Sequence, residues 1–173
     1  MEIELERTFL AKYLPKDLES CPSKNMQDSY IPKETKHPIL RIRKNGERFT
    51  ITRKYPKSED DMSVMIEETI NLTEEDYKSM QQIDSKIHKK IRYQYPTDNA
   101  KVCEIDVYQE ALKGLVLVDF EFDSIEEKNN FNPPNFCLVD VTGKEVIAGG
   151  MLCGKSYEDI EQELTELGYK KIE

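Results

Sequence analysis

Residues 39–54 read ILRIRKNGERFTITRK, and this stretch carries the strongest local fold signal in the chain. Apolar and polar residues alternate on both sides of Asn45-Gly46, which is the pattern of two strands that each have one polar face. An Asn-Gly pair tolerates positive φ at both central positions of a tight turn. The stretch therefore predicts a β-hairpin, with Arg41 and Arg43 on one face of its first strand.

Similar alternating patterns on both sides of this hairpin predict further strands. They cover residues 2–10, 26–31, 62–72, 88–95, 101–108, 115–122 and 137–141. Helices are predicted around residues 14–20, after Thr73, after Ser124 and in a last stretch capped by Ser156 and Asp159. Because strands dominate and the gaps are of hairpin length, we expect an α+β fold: an antiparallel sheet, open or closed, with peripheral helices. The 173 residues fit a single domain spanning 1–173.

Composition excludes several classes of function. Apolar residues make up 38% of the chain and charged residues 34%, and no apolar run approaches the ~18 residues that span a bilayer. The balance of 25 basic against 34 acidic residues, a net charge of −9, argues against a nucleic-acid partner, because phosphate backbones attract basic surfaces. We therefore expect neither a membrane nor a nucleic acid as partner; a monomer and a homodimer both remain open.

The N-terminus and the cysteines indicate a reducing compartment. The opening MEIELERTFL is too acidic and too short in its apolar run for a signal peptide. The four cysteines are scattered without a CxxC pair, which predicts free thiols and argues against a zinc site. The expected location is the cytoplasm.

Like charges stand two residues apart in strand after strand. The pairs are Glu4/Glu6, Arg41/Arg43, Lys90/Arg92, Glu104/Asp106 and Asp119/Glu121, with Thr52/Lys54 and Glu67/Thr69 spaced alike. Residues two apart share one face of a strand, and for any single strand a solvated face is the ordinary explanation. Repetition argues against that explanation, since like charges this close repel one another unless something compensates them. We therefore expect these faces to line a common cavity in a closed sheet.

One type of ligand would compensate both sets of charges. Guanidinium groups match phosphate oxygens with paired hydrogen bonds, which explains the basic strands. Mg²⁺ and Mn²⁺ bind carboxylate oxygens and commonly bridge them to substrate phosphates, which explains the acidic strands. The sequence therefore predicts a metal-bound polyphosphate inside the sheet.

The order of the motifs resembles the CYTH family, the adenylate cyclase/thiamine triphosphatase group also called triphosphate tunnel metalloenzymes. The motifs are ELERT at the start, then LRIRKNG, TITRK, EETINLTEED, KKIRY, EIDVY and VLVDFEF, across residues 2 to 142. Each motif is weak by itself, and their order and spacing are specific. The resemblance implies a closed eight-stranded antiparallel β-barrel that forms a tunnel, and hydrolysis of triphosphates with Mg²⁺ or Mn²⁺.

The resemblance also implies roles for individual residues. Metal binding falls to Glu4, Glu6, Asp119 and Glu121, substrate binding to Arg41, Arg43, Lys54, Lys90 and Arg92, and catalysis to Glu4, Glu6, Lys54 and Arg92. Glu67, Glu104 and Asp106 match further acidic positions of the tunnel. The substrate is expected to be inorganic triphosphate, thiamine triphosphate or a nucleoside triphosphate.

One position departs from the family's opening motif. Thr8 stands where that motif has a lysine, and Arg7 next to it points to the other face of the strand. A substrate-facing cation is thereby lost unless the fold brings Lys24, Lys54 or Lys155 to the same place.

Three alternatives compete with hydrolysis. The same tunnel could cyclise ATP to cyclic AMP, which would require a nucleobase pocket that the sequence does not reveal. It could also bind polyphosphate or nucleotide without turnover, which the loss of a lysine at Thr8 would favour. Finally, residues 149–156 satisfy the phosphate-loop pattern GxxxxGK[ST] but lack the surrounding βαβ alternation.

Overall fold

The computed structural model describes residues 2–36, 38–58, 61–97 and 101–173, without the side chains of residues 2–4 and 61–63. These described residues form nine strands. They are β1 (Glu2–Ala11), β2 (Ser23–Ile31), β3 (Leu40–Asn45), β4 (Arg48–Ser58), β5 (Asp61–Leu72), β6 (Lys86–Pro96), β7 (Val102–Tyr108), β8 (Val116–Phe122) and β9 (Cys137–Asp140).

The strands form one antiparallel sheet that closes on itself. Its order is β5-β4-β3-β2-β6-β7-β8-β1-β9, and a further pairing of β5 with β1 closes the first eight strands into a barrel. In that closing pair Ile3 lies opposite Ile66. Further along β1, β9 takes over the same edge, with Val139 opposite Leu10. The predicted α+β fold with an eight-stranded antiparallel barrel is confirmed, and β9 is an additional strand.

The hairpin that the sequence indicates most clearly connects β3 to β4. Asn45 pairs with Arg48 across the turn, and Gly46 adopts φ 60°, a conformation that glycine reaches without a steric penalty. The amide of Gly46 also donates to the carbonyl of Asn25 on β2, which ties the turn to the neighbouring strand.

Within the described residues, four short α-helices lie outside the barrel: α1 (Glu74–Met80), α2 (Ile125–Asn130), α3 (Gly149–Leu152) and α4 (Glu161–Glu166). Thr73 and Asp76 cap α1 reciprocally, and Ser124 caps α2 through the amide of Glu127. Among the described residues, no helix has the length and apolar character needed to cross a membrane.

Two helix predictions need correction. The stretch 14–20 contains only a single 3₁₀ turn at Leu18–Ser20. Ser156 and Asp159 do bond to each other, but they close a turn, and α4 begins after Ile160 without a side-chain cap. Local capping chemistry is satisfied as well by an isolated turn as by a helix, so the motif does not determine how far the helix extends.

The apolar core lies mainly against the outer surface of the barrel. Phe9, Ile105 and Val118 belong to one buried cluster, and each alternates with an inward-facing polar residue on its strand. At one end of the barrel the inward positions themselves become apolar, where Leu10 and Leu117 join a cluster with Ile147 of the C-terminal stretch. Charged side chains predominate in the rest of the interior.

The four cysteines are free, as predicted, and the thiols of Cys103 and Cys153 are buried.

Candidate active site

The barrel encloses a cavity of about 430 Å³ to which every one of its eight strands contributes a charged side chain. The charged lining residues of the strands are Glu6, Asp28, Arg41, Arg43, Lys54, Glu67, Lys90, Arg92, Glu104, Asp106, Asp119 and Glu121. All the predicted site residues are in this set except Glu4, whose side chain is outside the described part. The described members of the charged pairs thus converge on one cavity inside the barrel, with Glu121 also exposed to solvent. Their roles remain predictions.

The topology separates the charges around this cavity. The cations come from β3, β4 and β6, which lie in one arc of the barrel together with β2. The adjoining strands β7, β8, β1 and β5 form the opposite arc and contribute only carboxylates to the charged lining. Asp28 on β2 is the one carboxylate of the described residues that lines the basic arc. An elongated anion and a cation could therefore lie side by side across the cavity.

Two cations of β6 converge on one buried carboxylate where the arcs meet. Arg92 donates from Nε and Nη2 to the two oxygens of Asp106, both at 2.7 Å, and Lys90 also bonds to Asp106. Nη1 of Arg92 bonds to Glu104. Burial alone would raise the pKa of Asp106, but the charges of Arg92 and Lys90 outweigh it and hold that pKa below its usual range. Asp106 therefore stays ionised and keeps both cations in fixed positions.

A second buried pair lies in the basic arc. Nε and Nη2 of Arg43 donate to the two oxygens of Asp28 at 2.6 and 2.7 Å. Burial favours the neutral acid, but Arg43 outweighs it and holds the pKa of Asp28 well below its usual range. With one edge of its guanidinium engaged, Arg43 has Nη1 left for a ligand.

Two other cations contact carboxylates of the acidic arc. Lys54 donates to Glu6 at 2.9 Å, which joins β4 to β1 across the intervening β5. Arg41 contacts Glu67 at only 3.8 Å, and its buried Nε has no hydrogen-bond partner among the described residues. Arg41 is therefore the guanidinium of the lining that is held most loosely, and the protein engages fewer of its donors than those of Arg43 or Arg92.

The acidic arc carries an excess of negative charge near Asp119. Burial and the nearby carboxylates of Asp106 and Glu6 together raise the pKa of Asp119 to about 6, against the opposing effect of Arg92. Thr8 donates from Oγ1 to Asp119 at 2.7 Å, and this is the contact that Thr8 makes where the family's motif has a lysine. A bound cation would relieve this accumulation of charge.

The structure shows which of the nearby cations can replace the lysine that is missing at Thr8. Arg7 points away from the cavity, as strand parity predicts, and donates twice to Asp140 on β9. Lys54 reaches Glu6, two residues from Thr8 on the same face of β1. Neither Lys24 nor Lys155 lines the cavity. Among these candidates, Lys54 is the one that brings positive charge to the opening motif.

Sequence reasoning missed the lone polar residues of the lining. Asp28 is 1% exposed, and His88 stands two residues before Lys90 with its ring between those of Tyr30 and Tyr108. The search for like charges two apart could not find Asp28, because its neighbours two residues away, Met26 and Tyr30, are uncharged. His88 continues the face of Lys90 and Arg92, and period-two spacing would have identified it.

The donor set fits a hard divalent cation only partly. Oxygen ligands are present in Glu6, Asp119 and Glu121, and negative charge is in excess around Asp119. Among the side chains that the structure describes, no three carboxylates are gathered into a metal site. Mg²⁺ is commonly held by one or two carboxylates together with substrate phosphates, which is the kind of site these residues fit.

The phosphate-loop pattern at residues 149–156 is not a phosphate loop. Gly149 opens the four-residue helix α3 and lines the closed end of the cavity. A Cβ on Gly149 would lie 2.2 Å from the hydroxyl of Tyr30, so the close approach of this side chain favours glycine here.

Comparisons with known proteins identify the fold. Neither a family model nor a curated protein matches the sequence. Among solved structures, the inorganic triphosphatase NE1496 superposes with a TM-score of 0.64 at 24% identity, covering 88% of this chain and 95% of that one. A candidate adenylate cyclase, bh2851 from Bacillus halodurans, superposes with a TM-score of 0.54 at 15% identity, covering 93% and 97%. At these identities the likeness establishes a shared fold, in agreement with the resemblance to the CYTH family.

Proposed function

We propose that a protein with this fold and this lining hydrolyses triphosphate-bearing substrates inside the barrel, with the help of a divalent metal ion. The observation that carries the proposal is the division of one enclosed cavity into a basic arc and an acidic arc. A cavity of about 430 Å³ lies within the ~300–1,000 Å³ typical of small-ligand sites. The inorganic triphosphatase NE1496 has the same fold, which supports this class of substrate.

The basic arc would bind and orient the triphosphate chain. Arg41 and Nη1 of Arg43 would donate to phosphate oxygens, and Lys54, Lys90 and Arg92 would neutralise the charge that develops on them. Phosphoryl transfer depends mainly on positioning and on electrostatic stabilisation, so a fixed set of cations supplies most of what the reaction needs. Asp106 and Asp28 would hold these cations in place before substrate arrives.

The acidic arc would supply the metal site. Glu4, Glu6, Asp119 and Glu121 would hold the ion, either Mg²⁺ or Mn²⁺, together with phosphate oxygens. When bound, such an ion neutralises phosphate charge and lowers the pKa of a water molecule, which then serves as the nucleophile. Glu6 and the other carboxylates would position that water on the side of the phosphate opposite the leaving group.

The test is a screen of tripolyphosphate, thiamine triphosphate and ATP with Mg²⁺ or Mn²⁺. We expect phosphate release from at least one of them that stops when EDTA is added. Glu6→Gln should abolish the release because it removes a metal ligand and the partner of Lys54. Arg53→Gln is the matched control, since Arg53 lies on the outer face of β4, where it contacts the exposed Glu68.

Each alternative has its own outcome in the same screen. Cyclic AMP from ATP in place of free phosphate would identify a cyclase. Metal-dependent binding without any product would identify a binding module. Either result, or the absence of metal-dependent release from every triphosphate, would contradict hydrolysis.

A further inference from the structure

His88 is a polar side chain of the cavity to which the proposed hydrolysis assigns no role. It lies on β6, two residues before Lys90, and its side chain faces the same cavity. The residue is 6% exposed. Both ring nitrogens are buried, and neither has a hydrogen-bond partner among the described residues. Buried polar atoms of native proteins nearly always have a partner, so this ring is suited to receive one from a ligand.

Charged and titratable groups approach the ring from three strands besides its own. Asp28 and Tyr30 lie on β2, Arg43 on β3, Asp106 and Tyr108 on β7, and Lys90 on β6 itself. Nε2 of His88 is 3.8 Å from Asp28, whose two oxygens are already engaged by Arg43. Burial, opposed by Asp28 and assisted by the cations Lys90 and Arg43, lowers the pKa of His88 to about 4. The ring is therefore neutral at physiological pH and carries one donor and one acceptor.

We propose that His88 is a further ligand-binding residue of the cavity, which takes up a proton from solvent when a polyphosphate occupies the basic arc and then donates a hydrogen bond to a phosphate oxygen. This inference rests on the proposed function, because it requires the anion to lie beside Arg43 and Lys90. It adds to that function a coupling between substrate binding and pH.

The coupling follows from the charges around the ring. In the free cavity, Lys90 and Arg43 disfavour a third positive charge next to them. A polyphosphate brings several negative charges to these cations, so the imidazolium becomes favourable in the complex. The bound pKa then exceeds the free pKa, and protons are taken up on binding at any pH between the two. The affinity for polyphosphate should accordingly increase as the pH falls through this interval.

The direct test follows the histidine Cε1–H signals of the wild-type protein by NMR. The chain has two histidines, so the variant His37→Gln suffices to assign them. The titration is recorded without ligand and with saturating inorganic tripolyphosphate, both in metal-free buffer so that no turnover occurs. We expect the apparent pKa of His88 to rise by ~1–3 units in the complex, the size of shift that a close opposite charge produces. A pKa that stays near 4 in the saturated complex would overturn the inference.

Calorimetry adds a second readout that does not depend on assignment. Tripolyphosphate is titrated at pH 5, between the free pKa and the expected bound pKa of His88, in two buffers of different protonation enthalpy, and the difference gives the protons taken up. We expect more uptake for the wild type than for His88→Gln, in which an amide keeps hydrogen-bonding capacity but does not titrate. Equal uptake by the two proteins would contradict the proposal.

The two hypotheses fail in different ways. If tripolyphosphate binds neither in metal-free buffer nor with Mg²⁺ or Mn²⁺, the proposed function and the role of His88 fall together. If it binds tightly while the His88 signal titrates as in the free protein, only the role of His88 is wrong. Because the NMR test uses the wild-type protein, it remains decisive even if His88→Gln does not fold.

Discussion

Arg43 donates two hydrogen bonds to Asp28, at 2.6 and 2.7 Å, and the accepting carboxylate is 1% exposed. The pair links β3 to β2, where the two residues lie opposite each other in the sheet. Asp28 thus neutralises one cation of the basic arc and fixes the direction of its guanidinium. The guanidinium of Arg43 is therefore already oriented when a ligand arrives, with two of its five N–H donors used by Asp28.

Asp28→Asn should destabilise the fold strongly. The change keeps the size of the side chain but leaves the buried guanidinium of Arg43 without a counter-charge, which typically costs ~3–5 kcal/mol. Urea denaturation measures the loss in free energy of unfolding. The control is Asp84→Asn, because Asp84 pairs with Lys33 on the surface and its removal should leave stability nearly unchanged. Equal effects of the two changes would show that Asp28 is not a structural counter-charge.

Arg41→Gln should weaken substrate binding more than it weakens the fold. Arg41 has one loose contact with Glu67 at 3.8 Å, so little native structure depends on it. A charged hydrogen bond to phosphate contributes ~1.5–3 kcal/mol, which corresponds to a rise in Kd for tripolyphosphate of roughly 10- to 150-fold. Calorimetry at constant pH gives the Kd. The control is Arg53→Gln, on the outer face of the neighbouring strand, which should not change the Kd. A Kd within twofold of the wild type would exclude Arg41 as a phosphate ligand.

His88 should make stability depend on pH. Its pKa is lowered to about 4 in the folded protein, against 6.5 when unperturbed, so the unfolded chain binds more protons between these values. Stability from this residue therefore decreases as pH falls from about 6.5 to 4, by up to ~1.4 kcal/mol per pH unit. Asp119 contributes in the opposite direction, since its folded pKa is raised to about 6 and its protonation favours the native state as pH falls.

Because the contributions of His88 and Asp119 oppose each other, the pH dependence of the wild-type unfolding free energy does not by itself reveal either one. The measurement is the difference in unfolding free energy between the wild type and His88→Gln at pH 7, 6 and 5. Asp119 is present in both proteins and largely cancels in the difference. We expect the difference to move in favour of the variant as the pH falls; a constant difference would show that His88 titrates normally.

Gly149→Ala should disturb the closed end of the cavity. The new Cβ would lie 2.2 Å from the hydroxyl oxygen of Tyr30, and overpacking of this kind costs ~1–3 kcal/mol. Adding Tyr30→Phe removes the clashing oxygen, so the double variant should recover part of the lost stability relative to Tyr30→Phe alone. Thermal unfolding of the four proteins completes the cycle. Additive effects of the two changes would mean that the contact does not exist in solution.

The strand pattern was the most predictable part of the fold. Period-two alternation placed every described strand within a few residues, since side chains alternate along a strand whatever its neighbours are. The weaker predictions involved helices: residues 14–20 form a single turn, and the Ser156–Asp159 motif closes a turn before α4. Short helical stretches depend on tertiary contacts for their extent, so capping residues alone do not define them.

The candidate site likewise has one part that the sequence predicts and one part that only the tertiary structure determines. Which residues share a face, such as Arg41 with Arg43 or Asp119 with Glu121, could be read from the amino-acid order alone. The placing of Asp28 between Arg43 and His88 could not, because it requires β2 to lie between β3 and β6. The two arcs likewise exist only because β5 pairs with β1 and closes the barrel. A local pattern determines the direction of each side chain, whereas the neighbours of a strand are chosen by contacts between distant segments, and those contacts decide which charges meet.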